Sequence, residues 1–151
     1  MKVVLQRVKS ASVKVDNALV SNIDCGYLLL WCIEKGDTSE DIETLTKKII
    51  NLRIFSDENG KMNKSIIDAG GEILLVSQFT LSGNIQKGNR PSFINSQDPG
   101  IAKEMIDDVA QIFSDSCTVK QGIFGALMEV SLVNDGPLSM FIESRNGKIQ
   151  S

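Results

Sequence analysis

The chain has 151 residues, 42% of them hydrophobic, which fits one globular domain (1–151) with a core of its own and excludes a disordered chain. It contains 16 Lys and Arg, 19 Asp and Glu and no histidine, so Ser-His-Asp and Cys-His catalysis are excluded and zinc ligands are scarce. With a formal net charge of −3, a nucleic-acid partner would need a local basic patch.

The N-terminal residues and the cysteines favour a cytoplasmic protein. Met1–Arg7 lacks the long apolar region of a signal peptide, and the longest apolar run, Tyr27–Ile33, is too short to span a bilayer. Cys25, Cys32 and Cys117 contain no C-x-x-C pair, which favours reduced thiols over disulfides. Cys32 lies inside an apolar run, where a small core residue and a catalytic thiol are the alternatives.

The first residues predict strands. The apolar residues of Val3–Val8 begin a strand, Ala11–Val15 continues with alternating apolar and polar side chains, and Asp16–Asn17 is a turn signal typical of a hairpin. Gly26–Ile33 is a continuous apolar run and predicts a central strand. Arg7, near the end of the first strand, is either a surface cation or a donor that holds a nearby carbonyl group.

Two amphipathic helices are predicted. Thr38, followed three residues later by Asp41, forms a capping box for a helix over Ser39–Asn51. Asp98 as N-cap and Pro99 in the first turn open a second helix. The helical spacing of apolar residues predicts the buried face of the second helix, which consists of Ile101, Met105, Val109, Ile112 and Phe113.

Polar residues follow a buried strand in the segment Glu72–Leu81. The first half of the segment is apolar, and strand alternation then predicts Ser77 and Phe79 on one face, with Gln78 and Thr80 on the other. Polar groups at the end of a buried strand must find partners or line a site. Two alternatives are open: these polar side chains have hydrogen-bond partners at the edge of the sheet, or they line a pocket.

The segment Ser82–Phe93 predicts a long loop. Its two glycines, its proline and the cations Lys87 and Arg90 make it a candidate substrate-contacting loop. Together with Arg7, Lys9 and Lys14, these two cations could form a basic patch. The alternative is that all five are separate solvated charges on the surface.

Small residues stand at the beginning of the next predicted strand, in the run Phe124–Met128. Gly125 and Ala126 leave room there for a flat ligand or for another stretch of backbone.

The segment Val130–Phe141 predicts a strand, a turn and a returning strand. Asn134–Gly136 is typical of a hairpin turn, but Pro137 has no N–H to close it. The alternatives are a surface loop with a trans proline and an irregular tip whose carbonyls at Gly136 and Pro137 are free to accept hydrogen bonds. Leu138–Glu143 is expected to pair back across this tip.

Two of these segments, Ser77–Leu81 and Asn134–Pro137, resemble the two signature motifs of the D-aminoacyl-tRNA deacylases. The resemblance extends, in order and length, to three further segments: Val4–Val8, Lys87–Phe93 and Phe124–Val133. One departure is Leu138-Ser139, where the family usually has Val-Thr. The implied fold is an α/β protein of the α+β type, with a mostly antiparallel, barrel-like sheet and two main helices.

The resemblance implies an enzyme that hydrolyses the ester between a D-amino acid and the terminal adenosine of tRNA, and also glycyl-tRNA. It implies a homodimer in which a cis Gly136–Pro137 loop reaches into the partner's active site. There the two carbonyls would face the amino group of the substrate and exclude an L side chain, while Arg7 holds the loop.

The resemblance also implies the catalytic residues, which are Ser77, Gln78, Phe79 and Thr80. Backbone N–H groups near Phe79 and Thr80 would form an oxyanion hole, and the 2′-hydroxyl of the ribose would assist water. Thr80 as a nucleophile is the rival mechanism. The expected adenosine contacts, each of which is equally a candidate core residue, are Phe79, Phe124, Ala126 and Met128. No metal and no cofactor is expected.

Three other functions stay open. A nucleic-acid-binding protein on the same fold would use the loop around Lys87 and Arg90 without needing the Ser77–Thr80 motif. A deacylase with relaxed specificity would also accept L-aminoacyl esters. A small-molecule esterase is the third alternative, although no usual nucleophile–base pair is present.

Overall fold

The computed structural model describes residues 1–150, which form a seven-stranded sheet, a two-stranded sheet and two long helices. The strands are β1 (Lys2–Val15), β2 (Ala18–Ile23), β3 (Gly26–Cys32), β4 (Phe55–Ser56), β5 (Met62–Lys64), β6 (Glu72–Ser77), β7 (Val119–Gln121), β8 (Glu129–Arg145) and β9 (Lys148–Ile149). The helices are α1 (Ser39–Asn51) and α2 (Pro99–Ser114). Neither described helix is long and apolar enough to cross a membrane.

The large sheet has the strand order β7-β6-β3-β1-β8-β9, and β2 pairs with β1. Its β3–β6 and β6–β7 pairs are parallel and the other pairs are antiparallel, so the sheet is mostly antiparallel, as the family resemblance implies. Ser21 Oγ on β2 donates to the carbonyl of Gln121 on β7 at 2.8 Å, so the sheet curls until these strands touch. Within residues 1–150 no ladder joins β2 to β7. The sheet is therefore open, and the predicted barrel-like form is not confirmed.

Strand β3 is buried on both faces, which explains its continuous apolar sequence. Tyr27, Leu29 and Trp31 belong to the core beneath the helices, whereas Leu28 belongs to a second core on the opposite face. The predicted central strand is confirmed. Its position between β1 and β6 places the ends of β3 and β6 at the same edge of the sheet.

The predicted return strand after the Gly-Pro tip is wrong, because β8 continues in one direction along β1. Asn134 pairs with Val8 and Ser139 pairs with Gln6, so residues 135–138 face Arg7 alone. Four residues opposite one form a bulge within the strand. The bulge forms because β1 is long enough to pair with both halves of β8.

Two other predicted strand segments are also corrected. Strand β6 ends at Ser77, and Phe79–Ser82 forms a 3₁₀ turn, so strand alternation does not extend to Thr80. Phe124–Met128 is a loop that precedes β8 and not the start of a strand. The chain leaves the ladder of β6 before the apolar residues Phe79 and Leu81, and it joins the ladder of β8 only after Phe124–Met128.

The helices begin where the sequence predicts them. The Thr38–Asp41 capping box is present, and Asp98 Oδ1 accepts a hydrogen bond from the backbone N–H of Gly100 at 3.0 Å. The predicted buried face of α2 is partly wrong, because Ile101 is half exposed. The fully buried residues of α2 are Ile106, Val109, Ala110 and Phe113.

Asp41 joins the N-terminus of α1 to the end of β8. Its buried carboxylate accepts hydrogen bonds from Ser144 Oγ at 2.7 Å, Gly147 N at 3.0 Å and Thr38 N at 3.0 Å. Burial by itself raises the pKa of this carboxyl, but the hydrogen bonds from Ser144, Gly147 and Thr38 together hold the pKa below its usual value.

We expect Asp41→Asn to lower the free energy of unfolding near pH 7 by about 2–3 kcal/mol, because an amide leaves buried donors unpaired. Since the folded-state pKa is lowered, the stabilisation is present above the ordinary value of 3.8 and is lost as the pH falls below it. Denaturant unfolding at about pH 7 and about pH 3 should therefore show a wild-type advantage that shrinks in acid.

The control is Asp108→Asn at an exposed position of α2, where we expect little change at either pH. A wild-type advantage as large at about pH 3 as at about pH 7 would contradict a role for the charged carboxylate.

Candidate active site

A cavity of about 770 Å³ lies where the parallel strands β3 and β6 end. The first turn of α2, the segment before it and the loop that leads into β8 complete its walls. Six of the residues predicted for the site line this cavity: Ser77, Gln78, Phe79, Phe124, Ala126 and Met128. The carboxyl ends of parallel strands are a common place for ligand sites in mixed α/β proteins.

The remaining predicted residues lie outside the cavity lining. Thr80 belongs to the adjoining 3₁₀ turn, whereas Arg7, Gly136 and Pro137 belong to the bulge between β1 and β8. Trp31, which lines the cavity, pairs with Val3 of β1, and the bulge lies opposite Arg7, four residues further along β1. The bulge is on β8, which is the third strand from β6 in the sheet. Strand spacings put it roughly 15–20 Å from the cavity. One chain thus presents the two predicted motifs at separate places.

Several cavity residues were not predicted from the sequence. Trp31, Ile33 and Lys35 line the cavity at the end of β3, opposite Phe93 and the residues up to Pro99. Two backbone hydrogen bonds tie these segments together, from Lys35 N to Asn95 O at 2.9 Å and from Gln97 N to Ile33 O at 3.1 Å. This pairing joins residues about 60 positions apart and has no local sequence signal.

The 3₁₀ turn leaves two adjacent backbone donors free. Within residues 1–150, neither the N–H of Phe79 nor the N–H of Thr80 has a hydrogen-bond acceptor. Both residues are exposed, and the Phe79 side chain forms part of the cavity wall. Its ring packs edge to face on that of Phe93, with centroids 5.1 Å apart. Two free N–H groups side by side can bind the oxygen of a developing oxyanion.

The surroundings of Thr80 lack a base. Gln78 Nε2 donates to Thr80 Oγ1 at 2.5 Å, and no carboxylate or amine contacts this hydroxyl among the described residues. Cys32 is also a poor nucleophile, because burial, reinforced by the nearby Glu34 carboxylate, raises the pKa of its thiol to about 11. Among the described residues, the surroundings of Thr80 and Cys32 thus offer no activated nucleophile, and Thr80 is next to backbone donors and a neutral amide.

The bulge is fixed by the buried guanidinium of Arg7. Arg7 Nε and Nη2 donate to the carbonyl of Asp135 at 3.2 and 3.1 Å, and Nη1 donates to the carbonyl of Ile54. The side-chain amide of Asn134 donates to the carbonyls of Arg7 and Leu138, both at 2.9 Å, which closes the base of the bulge. Of the two alternatives for Arg7, the donor is confirmed.

The tip of the bulge is exposed. The Gly136–Pro137 peptide bond is cis, and Gly136 has a φ of +118°. A Cβ atom built on Gly136 would lie 2.6 Å from Arg7 Nη2, so only glycine fits against the guanidinium without a shift. Both residues are solvent-exposed, as the irregular tip predicted from the sequence requires.

Arg7 is only 9% exposed and therefore cannot contribute to a basic surface patch. The other candidates for such a patch are Lys9, Lys14, Lys87 and Arg90. Lys87 and Arg90 are exposed on a loop closed by two backbone hydrogen bonds between Asn84 and Ser92, at 2.8 and 2.9 Å. This loop leads directly into the cavity wall at Phe93. Along the chain, Arg90 is therefore three residues and Lys87 six residues from the cavity wall.

Comparison with known proteins identifies the family. A family model described as D-Tyr-tRNA(Tyr) deacylase matches residues 4–143. A protein of Parabacteroides distasonis named D-aminoacyl-tRNA deacylase is 51% identical over 150 residues, covering 97% of this chain and 99% of that protein. A protein of the same name from Thermosipho africanus is 49% identical over 146 residues, covering 96% and 98%.

Two solved structures are also similar. One, described as a c-Myc DNA unwinding element binding protein, has a TM-score of 0.90 and 40% identity, and the match covers 95% of this chain and 99% of that chain. Another, described as a probable eukaryotic D-amino acid tRNA deacylase, has a TM-score of 0.77 and covers 93% and 97%, but at 16% identity its likeness concerns the fold alone. Because the family model and the curated relatives extend over nearly the whole chain, this chain belongs to the D-Tyr-tRNA(Tyr) deacylase family of hydrolases.

Proposed function

We propose that this chain hydrolyses the ester bond of D-aminoacyl-tRNA and releases a free D-amino acid and tRNA. The observation that carries the proposal is the pair of unpartnered N–H groups of Phe79 and Thr80 at the edge of a cavity of about 770 Å³. Cavities of this size bind small molecules. The terminal adenosine would occupy the cavity, with Phe79 and Phe124 as its aromatic contacts.

The chemistry needs no side-chain nucleophile. Water adds to the ester carbonyl, and the resulting oxyanion accepts hydrogen bonds from the N–H groups of Phe79 and Thr80. Each such donor contributes about 3–4 kcal/mol in comparable sites. The intermediate then expels the 3′-oxygen of the ribose, which takes up a proton, and the neighbouring 2′-hydroxyl orients the water. Ser77 and Gln78 would supply the polar wall beside the ester.

We propose a homodimer in which the bulge of one chain enters the cavity of the other. The separation of roughly 15–20 Å between bulge and cavity supports this arrangement, since one chain cannot combine them. A row of apolar side chains crosses three strands on the face away from the helices: Leu30, Val4 and the half-exposed Phe141. Burying this row against a second copy would remove apolar surface from water.

Chiral selection would work by exclusion. The carbonyls of Gly136 and Pro137 would accept hydrogen bonds from the substrate's amino group and leave no room for an L side chain. A D side chain would point away, and glycine has none, so glycyl-tRNA would also be hydrolysed. Such an enzyme would act in the cytoplasm, where aminoacyl-tRNA is made.

A nucleic-acid-binding function without hydrolysis is the second candidate. The similar structure at 40% identity is described as a DNA-element binding protein. Lys87 and Arg90 could contact phosphates in either case, so charge alone does not separate the two functions.

The direct test is hydrolysis of D-tyrosyl-tRNA and L-tyrosyl-tRNA by the purified protein in the presence of EDTA. We expect rapid loss of the D-ester alone, because exclusion acts on the configuration at Cα. Loss of both esters would indicate a relaxed deacylase. Loss of neither, with tRNA still bound, would favour the nucleic-acid-binding protein.

We expect Gly136→Ala to reduce the D-over-L ratio of kcat/KM by at least about tenfold, equivalent to about 1.4 kcal/mol. The reason is that the new Cβ would lie 2.6 Å from Arg7 Nη2 at a φ of +118°, so either the guanidinium or the bulge that it holds has to shift. Gly60→Ala is the control, since Gly60 also has a positive φ, of +74°, but open space around it. An unchanged ratio in Gly136→Ala would count against exclusion by the bulge.

Replacing the Thr80 hydroxyl tests the rival mechanism. We expect Thr80→Val to keep kcat within about tenfold of wild type, because the backbone N–H remains, whereas loss of a true nucleophile costs about 10⁴-fold or more. Thr80→Ser is the matched variant that retains the hydroxyl. If the valine variant is inactive and the serine variant active, Thr80 is the nucleophile and the water mechanism is wrong.

A further inference from the structure

The carbonyl oxygen of Phe79 lies beneath the 3₁₀ turn and has several hydrogen-bond donors. Ser82 Oγ donates to it at 2.7 Å, while Ser96 Oγ is 3.3 Å from the same oxygen and 2.8 Å from Ser82 Oγ. Cys32 Sγ, at 3.6 Å, is a weaker third donor. Ser82 is only 3% exposed, so its bond to the carbonyl is better protected from competing water than the exposed contact from Ser96.

The single hydrogen of each hydroxyl determines the order of donors. Ser82 makes the shorter bond to the carbonyl of Phe79, and its own oxygen is then free to accept from Ser96. Ser96 has a second choice, because it is also within reach of the carbonyl. Removing Ser82 therefore leaves Ser96 able to turn to the carbonyl, whereas removing Ser96 leaves the bond from Ser82 intact.

The same peptide unit carries one of the free donors. The carbonyl of Phe79 and the N–H of Thr80 belong to one planar peptide bond and point in opposite directions. Holding the oxygen on the buried side directs the N–H of Thr80 outward, where no acceptor within residues 1–150 meets it. The orientation of this N–H thus depends on the groups that hold the carbonyl.

Ser96 is supplied by a segment that is fixed from two sides. Its backbone pairs with Glu34 after β3, and its N–H donates to the carbonyl of Phe93 at 3.0 Å. The ring of Phe93 in turn packs edge to face on Phe79. The end of β3 and the turn therefore hold Ser96 in place together.

We propose that Ser82 and Ser96 are positioning residues which fix the Phe79–Thr80 peptide and thereby aim the N–H of Thr80 at the oxyanion. This inference rests on the proposed hydrolysis at the turn. Neither serine acts on the substrate directly. Ser82 is the principal donor, and Ser96 is both its partner and its replacement.

The test compares Ser82→Ala, Ser96→Ala and the double variant on D-tyrosyl-tRNA. We expect each single change to lower kcat about fivefold, the effect of one hydrogen bond of about 1 kcal/mol. In the double variant neither hydroxyl can replace the other, but the i→i+3 backbone bond from Ser82 N–H to the Phe79 carbonyl within the 3₁₀ turn remains. We therefore expect a loss between about 25-fold, the product of the single losses, and about 100-fold, the effect of losing one oxyanion donor. The double loss would thus be at least the product of the single losses.

Three comparisons separate positioning from a general structural role. We expect KM, and the binding of a non-hydrolysable D-tyrosyl-adenosine amide, to stay unchanged, because ground-state contacts do not use this N–H. Ser96→Thr, which retains the hydroxyl that Ser96→Ala removes, should have the kcat of the wild type. Ser92→Ala, which removes an exposed hydroxyl from the same loop region, is the control and should resemble wild type.

A rise in KM with kcat unchanged, equal loss of analogue binding, or a double variant as active as Ser92→Ala would overturn the proposal. If the double variant fails to fold, the comparison of kcat between Ser96→Ala and Ser96→Thr decides, and equal values in these two variants would overturn the proposal. The amide NMR resonance of Thr80 gives a readout independent of activity, and we expect it to shift in both alanine variants. If the wild-type protein is inactive but the Thr80 resonance shifts in the alanine variants, the proposed hydrolysis is wrong and the positioning role stands. If the resonance does not shift in these variants, the positioning role is wrong.

Discussion

The antiparallel ladder between β1 and β8 is the constraint on which the arrangement of this chain depends. It runs from Lys2 opposite Glu143 to Lys14 opposite Glu129, so that each half of β8 is held by the same partner. Four residues of β8 facing the single residue Arg7 cannot all join the ladder, and their carbonyls must find other partners or solvent. Arg7 takes the carbonyl of Asp135, and the Gly136–Pro137 tip is presented outward.

The cavity edge also contains backbone groups that have no partner in a strand ladder. Strand β6 stops pairing at Ser77, and the first N–H groups of the 3₁₀ turn that follows have no acceptor because no earlier turn of helix precedes them. Both regions predicted to be functional are therefore places where the backbone leaves a strand ladder. The polar groups released in this way are main-chain atoms, which suits a chain without histidine.

Local signals in the sequence predicted the helices and the central strand, whereas the two motifs were identified by their resemblance to a known family. Capping residues and apolar periodicity identified α1 to the residue, and the missing N–H of Pro137 indicated an irregular tip. The return strand was mispredicted because turn statistics describe four residues, while the length of β1 decides the path of the chain. The contribution of Phe93–Pro99 to the cavity was missed, since only its pairing with the end of β3 brings it there.

Not one of the groups at the turn changes its protonation state near neutral pH. The backbone amides, the hydroxyls of Ser82, Ser96 and Thr80 and the amide of Gln78 do not titrate there, and the Cys32 thiol, whose pKa is about 11, stays protonated. The hydrogen bonds of the turn therefore stay the same when the pH changes near neutrality. If the proposed hydrolysis takes place at this turn, a dependence of its rate on pH would arise from groups outside the turn, such as the amino group of the substrate.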